Sequence, residues 1–213
     1  MAEKASRTVT GAEDMIVDTR AAGTTYVSRG ALKLLAAMDA LAFKATGRIC
    51  LDVGASTGGF TQVLLEGGAE KVYAIDVGHA QLHDSIKSDP RVVSLERTDA
   101  RTLDRDLIAE PVMAIVADVS FISLEKALPA ALQLAGPGAW LVALIKPQFE
   151  ADGPSLIGKG GVVRDAFVRE QAIERVARFI KSVPGWRVSG TLPSPIEGGS
   201  GNIEYLLGAV LDV

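Results

Sequence analysis

The chain has one cysteine, Cys50, and two histidines, His79 and His83, among 213 residues. A single cysteine excludes an internal disulfide, and no Cys/His cluster has zinc spacing, so no metal is expected. Long apolar runs are missing as well. None approaches the roughly 20 residues that span a bilayer. The opening Met1-Ala2-Glu3-Lys4-Ala5-Ser6-Arg7 lacks the apolar core of a signal peptide. The expected setting is therefore the cytoplasm, with no membrane partner. Positive charge is also not in excess: the net charge is −4, which argues against a simple nucleic-acid binder. The charge is uneven, however. Residues 20–48 hold five basic side chains against one acidic, and residues 159–187 hold seven against three. Two basic stretches on an acidic body form an anion-facing surface if the fold joins them; otherwise they are solvated helix faces.

What is present is an alternation of elements. Short apolar runs near 48–53, 71–76, 91–95, 112–118 and 139–145 read as strands buried on both faces. Helical stretches fall near 58–66, 123–134 and 164–182, and Ser28 reads as the N-cap of a helix reaching about Phe43. This order predicts an α/β fold with a parallel sheet. The segments 186–192 and 204–210 have no helix between them and predict an antiparallel C-terminal hairpin.

The most informative stretch is Asp52-Val53-Gly54-Ala55-Ser56-Thr57-Gly58-Gly59-Phe60, which joins the first strand to a helix. Ligands of open α/β sheets bind beyond the carboxyl ends of the strands. Asp52, Asp76 and Asp118 end strands there and Asp99 follows another, which suggests a shared polar site, since isolated buried carboxylates are costly. A dinucleotide loop needs a second glycine so that the backbone can approach a pyrophosphate. Ser56 occupies that position, which disfavours NAD. S-adenosylmethionine (SAM) has no pyrophosphate, and its ribose suits an acid such as Asp76, 22 residues after Gly54. The fold class is therefore read as Rossmann-like, that of a class I SAM-dependent methyltransferase with a seven-stranded, mostly parallel sheet.

Several separate motifs extend this reading. Tyr26-Val27-Ser28-Arg29-Gly30-Ala31-Leu32-Lys33, the glycine loop, Asp118-Val119-Ser120-Phe121-Ile122-Ser123, Ile145-Lys146-Pro147-Gln148-Phe149-Glu150 and Gly158-Lys159-Gly160-Gly161-Val162-Val163-Arg164-Asp165 resemble the hemolysin-A-like (TlyA) family of FtsJ-type ribosomal RNA 2′-O-ribose methyltransferases. The resemblance covers about residues 26–210. It implies SAM as cofactor and ribosomal RNA or a ribosomal subunit, through cytidine ribose, as the acceptor. It implies cofactor contacts from Asp52, Gly54, Ala55, Ser56, Thr57, Gly58, Gly59 and Phe60, ribose contact from Asp76 beside Val77, and adenine contact from Asp99 and Ala100, with Asp118 nearby. It also implies a catalytic tetrad of Lys33, Asp118, Lys146 and Glu204. Members usually carry an N-terminal S4-like RNA-binding domain of about 60 residues, small even for a domain. Residues 1–25 are read as an extension or remnant of it, ahead of a methyltransferase domain over 26–213, and RNA binding is expected to be weak and salt-sensitive.

The residues give their own support. Lys33 lies in a helix apolar almost all round, and Lys146 directly follows an apolar strand; each also has a plain reading as a solvent-reaching lysine. Lys146 is the candidate base, or else orients the hydroxyl and stabilises developing charge. Cys50 lies inside the first strand and reads as a small hydrophobe, not the nucleophile of cytosine C5 transfer. The Asn/Asp-Pro-Pro-aromatic motif of amino-group methylation is absent. His79 and His83 fit solvated positions better than catalysis, and residues 151–161 read as a glycine-rich loop beside the site. The competing functions are methylation of a small molecule or protein, non-catalytic SAM binding, and membrane lysis, the last without a supporting segment.

Overall fold

A computed structural model of the chain describes residues 26–151, 153 and 156–212. Residues 1–25, read above as an extension or S4 remnant, lie outside the described residues. The strands are β1 (Ile49–Val53), β2 (Lys71–Asp76), β3 (Val92–Glu96), β4 (Val112–Ala117), β5 (Ala135–Ile145), β6 (Trp186–Pro193) and β7 (Tyr205–Leu211). They form one sheet in the order β3-β2-β1-β4-β5-β7-β6. The first five run parallel; β7 is antiparallel to both β5 and β6. The predicted hairpin exists, but its second strand is inserted next to β5 and its first is left at the edge.

Alternation along the strands divides the core. Leu51, Val53, Tyr73, Ile75, Ile115 and Ala117 face one way, against α4 (Leu124–Ala127), α5 (Pro129–Gln133) and α7 (Ala166–Ser182). Cys50, Val72, Ala74, Ala114 and Val116 face the other, against α1 (Gly30–Ala40) and α2 (Gly59–Glu66). Residues two apart in a strand share a face, so an apolar residue at every position is what a sheet covered on both sides requires. In α7, Val168, Ala172, Val176 and Ile180 recur every four residues and are its buried stripe, while the Asp165 side chain caps its start by accepting from the Phe167 amide at 2.9 Å.

Two helix predictions need correction. The helix expected from a Ser28 cap begins at Gly30, and Ser28 does not cap it. The Ser28 hydroxyl instead fills the crossing of α1 and α2, where a Cβ on Gly59 would lie 2.1 Å from it. The stretch 123–134 is two short helices, because Pro129 cannot continue the hydrogen-bond ladder of α4 and starts α5 instead. Two further short helices, α3 (Asp84–Lys87) and α6 (Pro147–Glu150), lie beyond strand ends. His83 caps α3 by accepting from the Ser85 amide, which gives it a structural task.

Strand register brings the site together. Val53 pairs with Ile75 and with Ala117, so Gly54, Asp76 and Asp118 leave the sheet side by side. Ile145 pairs with Tyr205, and because β7 is antiparallel the residue before Tyr205 meets the residue after Ile145. That puts Glu204 at the same edge as Lys146, although 58 positions separate them in the chain.

Candidate active site

Two of the clefts at this edge share Gly54, Ser56 and Asp118. The larger, about 970 Å³, is walled by Asp76, Val77, Asp99, Ala100 and the segment Val119–Ser123, with Gln148 and Phe149 at one side. The smaller, about 450 Å³, is lined by Ser28, Arg29, Lys33, Thr57, Gly59, Phe60, Ile196, Glu197 and Gly199 among others. The three shared residues form the ridge between them.

Gly54 forms this ridge because no other residue fits. Its φ is +83°, and a Cβ there would lie 2.5 Å from the Asp118 carbonyl oxygen. Backbone blocks the space, so it cannot be cleared by a rotamer change. Gly54→Ala is expected to cost roughly 1–2 kcal/mol in backbone conformation alone. Pushing Asp118 aside should also weaken SAM binding by more than about tenfold, or roughly 1.4 kcal/mol. Thermal melting and titration calorimetry measure the two effects; wild-type affinity in the variant would show that the ridge is not part of the site.

The structure arranges Lys33, Glu204, Lys146 and Asp118 as two ion pairs. Lys33 Nζ donates to Glu204 Oε2 at 2.5 Å, and both side chains are buried. Lys146 Nζ lies 2.6 Å from Asp118 Oδ1 and donates to Ser120 Oγ at 2.9 Å. Two positive and two negative groups cancel, which is what allows charges to persist where water is scarce. Lys33, the position whose plain reading was a solvent-exposed lysine, is 8% exposed.

The acids at the edge differ in their surroundings. Asp76 accepts the Ser56 amide at 2.8 Å and the Gly78 amide at 2.7 Å, one on each oxygen, and a carboxylate has lone pairs left beyond these. Asp99 caps the 3-10 turn Ala100–Thr102 and is gripped by the Arg101 guanidinium, which holds its carboxyl down at about 2. Asp52, predicted to contact the cofactor, lines neither cleft. It pairs with Ala74 and Val116 inside the sheet, is fully buried, and accepts the Thr61 hydroxyl at 2.6 Å on Oδ2, while Oδ1 has no partner. Burial pushes its pKa up to about 7, the Thr61 hydrogen bond opposing and the Asp118 and Asp76 charges adding to the rise. Gly58 lines neither cleft either; at φ +96° it sets the turn into α2. Burial likewise pushes the Cys50 thiol up to about 12, with Arg48 opposing and Asp52 reinforcing. That thiol is no nucleophile near neutral pH.

Other side chains enter the site unannounced by the sequence. Ser120 binds Lys146, although only Asp118 of its motif was singled out. Phe121 stands 90% exposed at the larger cleft with φ +65°, a conformation rare for a bulky residue, and packs on Phe149 at 5.1 Å between ring centres. Ile196, Glu197 and Gly199 come from the connection between β6 and β7. A cleft-facing residue in such a loop leaves no periodic signal. The basic stretches do not merge into one face. Arg48 binds the carbonyls of Met113 and Gly138 at the opposite edge, Arg187 pairs with Asp212, and Arg29 lines the smaller cleft. His79 is an exposed partner of Glu96, at 2.8 Å.

A seven-stranded sheet of this order, a glycine ridge between two clefts and a strand-end acid at Asp76 define a class I SAM-dependent methyltransferase. Within that class the chain belongs to the FtsJ-like methyltransferase family, whose model matches residues 26–210, and its cofactor is SAM. It is 51% identical over 182 residues to the 16S/23S rRNA (cytidine-2′-O)-methyltransferase TlyA of Mycobacterium tuberculosis, covering 85% of this chain and 67% of that protein. It is 43% identical over 182 residues to Hemolysin A of Brachyspira hyodysenteriae, covering 85% and 75%. The crystal structure of a hemolysin-named protein from Lactococcus lactis superposes with a TM-score of 0.84 at 43% identity, over 88% of this chain and 89% of that one. An O-methyltransferase from Bacillus cereus in complex with SAH shares the fold at a TM-score of 0.58 and 19% identity, over 90% and 86%.

Proposed function

We propose that the chain methylates the 2′-hydroxyl of a cytidine ribose in ribosomal RNA, in the cytoplasm. The observation that carries this reading is the pairing of Lys146 with Asp118 and of Lys33 with Glu204 beside the ridge that separates the clefts. Transfer to a ribose oxygen needs a proton acceptor and cations near developing negative charge, and this arrangement offers both. Small-molecule or protein methylation gives no reason for two lysines at one edge. No helix among the described residues is long and apolar enough to cross a membrane.

In this reading the larger cleft holds the nucleoside of SAM. Asp76 would hold the ribose hydroxyls with its remaining lone pairs, and Asp99 and Ala100 would hold the adenine. Gly54, with no Cβ, would leave the backbone open to the methionine end, and Arg29 in the smaller cleft would meet the acceptor. SAM supplies an electrophilic methyl group on a sulfonium. The residues position the acceptor oxygen in line with it, a contribution worth up to roughly 7–11 kcal/mol when the alignment is close. Lys146 donates to Ser120 Oγ and has the Asp118 carboxylate 2.6 Å away, which fixes where its Nζ meets the hydroxyl. Once it has released one proton to solvent, the neutral Lys146 amine takes the hydroxyl proton on its lone pair as the oxygen bonds to the methyl carbon and the carbon–sulfur bond breaks, and Lys33, held by Glu204, adds positive charge nearby.

The test is incubation with methyl-labelled SAM and ribosomal subunits lacking the modification, in parallel with free metabolites and soluble protein. Label in RNA, and none in the other two, is expected. Because charge attraction to phosphates is screened, labelling and RNA binding should fall steeply with salt. Label confined to a metabolite or to protein would overturn the reading.

A further inference from the structure

Glu150 is buried, yet no step above uses it. It ends α6, four residues after Lys146. Its Oε1 accepts the backbone amide of Leu124 at 2.8 Å, and Oε2 has no partner. Leu124 is the first residue of α4, and the Ser123 cap supplies no side-chain hydrogen bond there. Glu150 therefore does the cap's work from 26 positions away. Its own backbone carbonyl accepts from Arg175 of α7 at 2.7 Å, which fixes the end of α6 against the helix layer.

This contact joins two loops. One leaves β4 and carries Asp118 and Ser120 up to Leu124; the other leaves β5 and carries Lys146 down to Glu150. They meet at the reaction edge in the Lys146–Asp118–Ser120 cluster and again, behind it, at Glu150–Leu124. A carboxyl with one unpartnered oxygen in the interior costs stability. Burial pushes this one up to about 7, with the Leu124 amide and the Arg175 charge opposing the rise and the Glu125 charge adding to it. A group so placed is a poor choice for stability alone, and its one hydrogen bond sets the distance between two loops.

We propose that Glu150 is a positioning residue for methyl transfer: by accepting the first amide of α4 it holds the Asp118–Ser120 loop against Lys146. The proposal rests on the reading of Lys146 and Asp118 given above. Without the clamp, the two loops separate behind the site and Lys146 loses its fixed aim. Glutamine at this position keeps an oxygen acceptor; alanine does not.

The experiment measures kcat, the KM for ribosomal subunits and the Kd for SAM in Glu150→Ala, Glu150→Gln, Lys146→Ala and the Glu150→Ala/Lys146→Ala double variant. Glu150→Ala should lower kcat by about ten- to a hundredfold, the scale of a 1 Å misplacement. KM for subunits should stay within about twofold, the Kd for SAM should rise by less than kcat falls because the same loop also walls the larger cleft, and Glu150→Gln should stay within about twofold of wild type in all three, below the size of one tenfold step of 1.4 kcal/mol. The double variant should be no slower than Lys146→Ala, because the two residues act as a unit. Three results would overturn the proposal: unchanged kcat in Glu150→Ala, equal damage in Glu150→Gln, or losses that multiply with Lys146→Ala. A fully active Lys146→Ala would instead overturn the reading of Lys146 itself. Should Glu150→Ala fail to fold, Glu150→Met fills the space without a strong acceptor and is read by the same criteria.

Discussion

Lys146→Ala is expected to lower turnover on ribosomal RNA by about 10²–10⁴-fold, the range in which a positioned proton acceptor contributes. SAM affinity should be nearly unchanged, because Lys146 is not among the residues walling either cleft. A second substitution separates two roles. Lys146→Arg keeps a positive charge and donors near Asp118 and Ser120, but arginine does not give up its proton in proteins. If Lys146 removes the hydroxyl proton, the arginine variant is as slow as the alanine one. If the lysine only orients the hydroxyl and stabilises negative charge, arginine restores much of the rate. Single-turnover kinetics on saturating subunits read both variants, and near-normal turnover in Lys146→Ala would remove the residue from the chemistry.

The second large effect concerns stability. Asp52 sits between the glycine loop and α2 with its pKa raised to about 7 by burial. For an acid whose folded pKa is raised, the favourable contribution is complete below its unfolded pKa and is lost as pH rises through the folded one. The window for Asp52 runs from just below pH 4 to about pH 7. Asparagine keeps an oxygen to accept the Thr61 hydroxyl and removes the charge. Asp52→Asn should therefore gain stability relative to wild type between pH 5 and pH 8, by roughly 3 kcal/mol at 1.36 kcal/mol per pKa unit. Urea unfolding of both proteins at both pH values measures the difference. Glu150 titrates in the same range but is present in both proteins, so it cancels. An offset that is the same at pH 5 and pH 8 would show that Asp52 is ionised in the fold at no cost.

Much of this site was legible because its residues end apolar strands. A polar residue after a fully buried run has one place to go, the sheet edge, and that logic located Asp76, Asp118 and Lys146. The same logic misplaced Asp52 by one residue. Strand β1 ends at Val53, so Asp52 belongs to the sheet and points towards Thr61, not the cleft. Strand composition does not mark where a strand stops to within one position, and with a period of two a single step changes the face. Glu204 could be assigned only through the family, because its closeness to Lys146 depends on β7 being inserted antiparallel beside β5. No local pattern encodes that insertion. Ser28 shows a different limit: a serine before a helix fits an N-cap, but close packing against Gly59 took precedence. The Glu150–Leu124 bond was invisible for a similar reason, since a cap supplied from another loop leaves no local signature.

The two lysines also show why geometry adds to motif. Each alone has a bland reading as a surface cation. Their pairing with buried or half-buried acids removes that reading, because a lysine bound for solvent needs no carboxylate at 2.5–2.6 Å.

The most direct measurement locates the methyl group. RNA labelled by the purified protein is digested to nucleosides and analysed by mass spectrometry. Ribose chemistry predicts one labelled product, a cytidine whose extra mass stays with the sugar when the glycosidic bond breaks. A methyl group that leaves with the base, or a product from another nucleoside, would contradict the assignment.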